Sequence, residues 1–178
     1  MNCPVITTNR LRLRPVALED CEQLHVAYSN WKIVSHMTSS PWPFHVSDTV
    51  EFLQNAEQEN KSNDHFILAI EVSGQPVGIV TAWQENGKWW LAYWLGEAHW
   101  RVGYMREAVL GFCNWLYRTH GVIDLHAWVN EGNEPSYKLL KSLDFFETGF
   151  RETHSRAHNR AIKQIRFAID FETQGRAA

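Results

Sequence analysis

The residues best placed to do chemistry lie between Trp100 and Arg106, in the stretch WRVGYMR. Gly103 stands just ahead of a segment with helical apolar spacing. The first turn of a helix carries amides without intrahelical acceptors and the positive end of the helix dipole. Together these receive phosphate groups. A glycine removes the Cβ that would keep an anion off the backbone. Arg101 and Arg106 add positive charge. The stretch therefore reads as an anion cradle, or as a helix start whose glycine only makes a tight turn. The sequence holds no GxxxxGKS or GxxxxGKT loop and no GxGxxG, which argues against a P-loop or a dinucleotide fold. It holds no HExxH. His154 and His158 fall between two predicted strands without a carboxylate at helical spacing, so they read as solvated loop histidines and no metal site is expected.

The elements that must position this joint follow from periodicity. Leu11 and Leu13 alternate with arginines from Arg10 to Arg14, a half-buried strand. Cys21, Leu24 and Tyr28 give helical spacing over Leu18–Tyr28. Two prolines punctuate Ser39 to Phe44 as loop. Ser47 or Asp48 caps a helix running to about Gln58. Strands follow at Phe66–Val72, Val77–Gln84 and Trp89–Leu95, with an Asn86-Gly87 hairpin turn between the last two. The third is apolar on both faces, so it belongs in the middle of a sheet. Met105, Ala108, Val109, Phe112 and Leu116 form one stripe of a helix that Gly121 ends. Val122–Val129 is a strand. Asn133 caps a helix from Glu134 to about Leu143, with Pro135 in its first turn. Phe145–Glu152 and Ile162–Phe171 are final strands. The strand, helix, strand unit over residues 89–129 predicts two parallel neighbours inside a mixed sheet.

The bulk numbers fit one domain spanning residues 1–178. The chain has 178 residues, 44% of them hydrophobic, which is enough for a sizeable core. A net charge of −3 gives no support to a nucleic-acid groove. Three cysteines without CxxC spacing fit a reducing cytoplasm better than a disulfide framework. No apolar leader opens the sequence, and no run is long enough for a membrane helix. Nine tryptophans would suit a binding cleft, or a core and a homodimer face.

YWLGEAHWRVGYMREAV, residues 93–109, resembles the acetyl-CoA-binding segment of the GCN5-related N-acetyltransferases (GNAT). It is most similar to the branch that acetylates ribosomal-protein alanine and serine N-termini. The matching positions are Tyr93-Trp94-Leu95-Gly96, Trp100, Gly103-Tyr104 and Glu107-Ala108. RLRLRP, residues 10–15, resembles the family's opening strand. NEPSYKLLKSLDF, residues 133–145, resembles its asparagine-to-serine motif. The likeness spans about residues 8–171. Arg101 stands where glycine is common, Met105 where a small residue is usual, and Asp144 in place of a glycine.

The resemblance implies an α+β fold with a central mixed sheet of about seven strands flanked by about four helices. It implies acetyl-CoA as co-substrate, with the arm against Trp94 and Leu95 and the pyrophosphate on the segment Trp100, Arg101, Val102, Gly103, Tyr104, Met105 and Arg106. Asn133 would hold the arm and Ser136 would face the departing sulfur; both also suit plain helix capping. The strand before the loop carries no acid, so Glu97 is the implied base, through a water, with Glu85 and His126 behind it. Trp42 and Phe44 would wall the acceptor pocket, or else lid the core. The acceptor would be an amine, foremost a protein or peptide N-terminus, with a polyamine or aminosugar as alternative. A non-catalytic acyl-CoA sensor is the reading from another class.

Overall fold

The computed structural model describes residues 3–172. In chain order the elements are β1 (Ile6–Thr7), β2 (Arg12–Pro15), α1 (Cys21–Tyr28), α2 (Trp31–Val34), α3 (Val46–Glu59), β3 (His65–Val72), β4 (Gln75–Glu85), β5 (Lys88–Leu95), α4 (Tyr104–His120), β6 (Asp124–Asn130), α5 (Glu134–Ser142), β7 (Phe146–Ser155) and β8 (Arg160–Asp170). The eight strands form one sheet in the order β1-β2-β3-β4-β5-β6-β8-β7. Every neighbouring pair is antiparallel except β5 and β6.

The mixed sheet agrees with the expected fold class, with two additions. A two-residue β1 pairs with β2 through Ile6 and Leu13. Four residues after Asn30 make α2, capped by the Asn30 side chain accepting from the Lys32 amide. Both are too short to leave a periodic signal. The ends also shift. His45, not Ser47 or Asp48, caps α3, and its amide donates to Asp48 Oδ2 at 2.7 Å. The β7–β8 hairpin runs on past Glu152 to Ser155, so His154 lies in a strand, opposite Ala161.

The helices sandwich the sheet. Leu13, Leu68 and Phe167 pack with Val109, Phe112 and Leu116 of α4 and Leu140 of α5. On the opposite face Ile67 and Ile79 pack with Leu24 of α1 and Leu53 of α3. Asn86 and Gly87 both adopt positive φ, as a tight hairpin of this kind requires. Among the described residues no helix is long and apolar enough to cross a membrane.

The parallel pair is short. β5 and β6 share only Trp89–Leu125, Trp90–His126 and Leu91–Ala127. Beyond Leu91 the strands part, while β5 stays paired with β4 as far as Leu95. The sheet is therefore split at its centre, and β5 presents an unpaired flank there.

Candidate active site

A cleft of about 1030 Å³ occupies the split. It is lined by Ala92 to Leu95 of β5, by Ala127 to Asn130 of β6, and by the start of α4 and the start of α5. Side chains alternate along a strand. Tyr93 and Leu95 thus join the α4 side, and Trp90 and Trp94 the α1 side. The cleft reaches both faces of the sheet because the strands that would close it have separated.

The α4 end has the features of an anion site. Gly103 caps the helix with φ 85° and no side chain bonds the first-turn amides. A Cβ at Gly103 would be strained at that φ and would stand 3.3 Å from Arg10 Nη2. Arg10 holds the joint from below. Its Nε donates to Glu107 Oε2 at 2.7 Å and its Nη1 to the Val102 carbonyl at 2.8 Å, and its guanidinium covers the Tyr104 ring at 4.8 Å. Thr8 Oγ1 also donates to Glu107, at 2.6 Å. Burial alone would raise the Glu107 pKa, but the bonds from Thr8 and Arg10 outweigh it and hold it low. The β1–β2 turn is therefore tied to the helix start by a carboxylate that stays charged. This role of Arg10 left no trace in the local sequence pattern.

The predicted coenzyme residues gather at this end with one exception. Trp94, Leu95, Trp100, Arg101, Gly103, Tyr104, Met105, Arg106 and Asn133 line the cleft. Val102 does not; it is exposed and its carbonyl is taken by Arg10. The Leu95 carbonyl already accepts one bond, from Trp100 Nε1 at 2.6 Å. Arg101 adopts φ 63° and Asp144 φ 67°. Both non-glycine residues thus keep the left-handed backbone of the glycines they replace, at a cost of about 1–2 kcal/mol each.

Asn133 caps α5, its Oδ1 accepting from the Ser136 amide at 3.3 Å. Ser136 Oγ lies 2.8 Å from the hydroxyl of Tyr93, across the split from α5 to β5. Burial pushes the Tyr93 phenol well above its usual range, so it stays protonated. Sequence reading took Tyr93 only as part of a motif. Its partnership with Ser136 joins residues 43 apart in the chain.

Three expectations need correction. Glu97 points away from the cleft into a separate surface hollow beside α1. Its carboxylate is bonded by Lys32 Nζ and, at 2.7 Å, by Asn30 Nδ2, and these bonds, Lys32 first, lower its pKa. A carboxylate so held is a poor base. Trp42 and Phe44 do not line the cleft. Phe44 packs on Tyr28 at 4.7 Å, and Trp42 lies on Trp31 at 5.3 Å. Trp31, Ile33 and residues 35–39 line the cleft on that side instead. His158 Nε2 meets the Ser35 carbonyl at 3.0 Å and the Arg156 amide donates to Thr38 at 3.0 Å, so the β7–β8 turn clamps this segment. His126 is buried outside the cleft lining and bonded to Asp124 at 2.9 Å. Glu85 is exposed at the end of β4.

The cleft lining contains Lys32, Arg101, Arg106 and Arg151 but no Asp or Glu. His36 is its half-buried histidine near the acceptor wall; burial, and then the charge of His158, lower its pKa, so it is neutral at pH 7. No group of His, Cys, Asp and Glu among the described residues could hold a metal ion.

Residues 10–145 match the model of the GNAT acetyltransferase domain. The chain belongs to the GNAT family. It is an acyltransferase drawing on a coenzyme A thioester. A curated relative, the uncharacterized N-acetyltransferase p20 of Bacillus licheniformis, is 28% identical over 167 residues, covering 91% of this chain and 93% of p20. Among solved structures, Mycobacterium smegmatis RimJ in complex with CoA-disulfide is similar with a TM-score of 0.86 at 18% identity, covering 98% of this chain and 92% of RimJ. The ribosomal-protein-S5-alanine acetyltransferase of Vibrio fischeri is similar with a TM-score of 0.79 at 15% identity, covering 94% and 96%. At such identities the likeness is one of fold. The start of α4 fits the coenzyme: uncapped amides, a glycine whose Cβ would intrude, and Arg101 and Arg106 beside it.

Proposed function

We propose that this GNAT protein acetylates an α-amine directly from acetyl-CoA, foremost at the N-terminus of a protein or peptide. The observation that carries the reading is a cleft through the split sheet with an uncapped helix start at one end and no carboxylate in its lining. An α-amine has a pKa of about 8 and is partly neutral at pH 7, whereas a lysine amine near 10.4 needs a strong base. A cleft without a carboxylate suits the former.

Acetyl-CoA, when bound, supplies a thioester carbonyl and a thiolate leaving group. Residues 103–106 would receive its phosphates on their amides, helped by Arg101 and Arg106. Ser136 holds a proton at Oγ for the sulfur that leaves, and Tyr93 fixes that hydroxyl from behind. The amine nitrogen forms the new bond to carbon as the carbon–sulfur bond breaks. Its surplus proton passes to water or to neutral His36, and water in the cleft returns a proton to Ser136 once the thiolate is protonated. Placement of the two reactants supplies much of the rate.

The test is release of free CoA thiol from acetyl-CoA with N-terminal peptides, spermine and glucosamine as acceptors. Faster release with the peptides upholds the reading. Coenzyme binding without release from any amine refutes it and leaves a sensor.

A further inference from the structure

The acceptor half of the cleft has its own chemistry. Trp83 pairs across the strands with Trp90, and Trp90 stacks on Trp128 at 5.7 Å with 10° between the rings. These indoles share the sheet face opposite α4 and line the cleft. Helix α2 packs over the same face through Trp94 and adds Trp31. Arg151 of β7 lies flat on the Trp128 ring at 4.1 Å. Its Nε donates to Gln164 Oε1 at 2.9 Å, and among the described residues no ion pair takes its charge. Lys32, by contrast, is paired with Glu97. The acceptor face is thus a broad aromatic floor with one guanidinium free of any ion pair, reached by the charge of Glu85 only from outside a lining that holds no carboxylate.

A polyamine carries further ammonium groups; indole faces attract a cation, but Arg151 already covers Trp128 and the lining offers no carboxylate to a second one. A flat ring gains stacking on indole, and an anion gains a charge-assisted bond from a stacked arginine.

We infer that the acceptor amine is borne on an aromatic body with a negative charge, which the Trp83–Trp90–Trp128 floor and Arg151 receive. The inference rests on the α-amine reading above. Two sources share this chemistry: a free aromatic amino acid, and a chain whose first residues are aromatic and acidic.

CoA release is measured with L-tryptophan, its carboxylate-free analogue tryptamine, spermine, and two short peptides beginning Trp-Glu and Ser-Lys. The expected result is a KM for tryptophan or for the Trp-Glu peptide about tenfold below that of its carboxylate-free or basic counterpart. Arg151→Gln collapses that ratio toward one. Whichever of the amino acid and the peptide turns over identifies the source. Preference for spermine or the Ser-Lys peptide, or an Arg151→Gln protein that keeps the ratio, overturns this inference while acetyl transfer stands. Release from no amine at all overturns both.

Discussion

Removing the Ser136 hydroxyl probes the proposed chemistry at its narrowest point. The Tyr93–Ser136 bond is 2.8 Å long and both residues are half-buried in the cleft wall. Ser136→Ala takes the partner from a half-buried phenol that faces the cleft, which costs about 0.5–1.5 kcal/mol of stability. Tyr93→Phe leaves a hydroxyl on half-buried Ser136 that can turn to water, at a similar cost of about 0.5–1.5 kcal/mol. Loss of a positioned proton donor lowers turnover by about a hundredfold. Tyr93 acts only through Ser136, so Tyr93→Phe should cost about tenfold in kcat. In the double variant the two losses should not multiply, because one hydrogen bond serves both residues. The assay is CoA thiol release at saturating acetyl-CoA, with urea unfolding alongside to separate stability from turnover. KM for acetyl-CoA should move by less than about twofold, since neither hydroxyl holds the phosphates. Full turnover in Ser136→Ala, or losses in the double variant that multiply, would refute the reasoning.

Other outcomes follow from the same geometry. Gly103→Ala forces a Cβ into a left-handed φ at a cost of about 1–2 kcal/mol, so the melting temperature should fall by about 2–8 °C and acetyl-CoA affinity should drop; an unchanged thermal scan would contradict it. Glu97→Gln should leave kcat within about twofold, since it removes only an exposed ion pair; a hundredfold loss would restore Glu97 as the base. Stability should decline as pH falls from 7. Burial lowers the pKa of His36, His65 and His120, so below about 6.5 the unfolded chain takes up protons that the folded one refuses. In more acid solution Glu71, held low chiefly by its bond from Arg14, and Glu107 add losses of the same sign as pH drops through their folded values. Melting temperatures that rise between pH 7 and pH 4 would reverse that sign.

The local elements were written in the sequence. The Met105–Leu116 stripe, the Asn86-Gly87 turn and the Asn133 cap each rest on interactions within a few residues, and spacing alone predicts them. So was the glycine-headed helix start at one end of the cleft, because its unpaired amides belong to the backbone itself. The α+β class and the parallel pair followed from element order. What the fold alone decided is where β5 and β6 separate, since three paired positions followed by a parting depend on what packs from both faces. That parting brings Tyr93 to Ser136, sets Trp90 beside Trp128, and turns Glu97 outward to Lys32. Arg10 reaches Glu107 across 97 positions and Arg156 reaches Ser39 across 117. Contacts over such separations are fixed by the closing of the sheet and its layers. A one-dimensional pattern carries only the periodicity of each piece, and so it names the parts of this site without saying which of them meet.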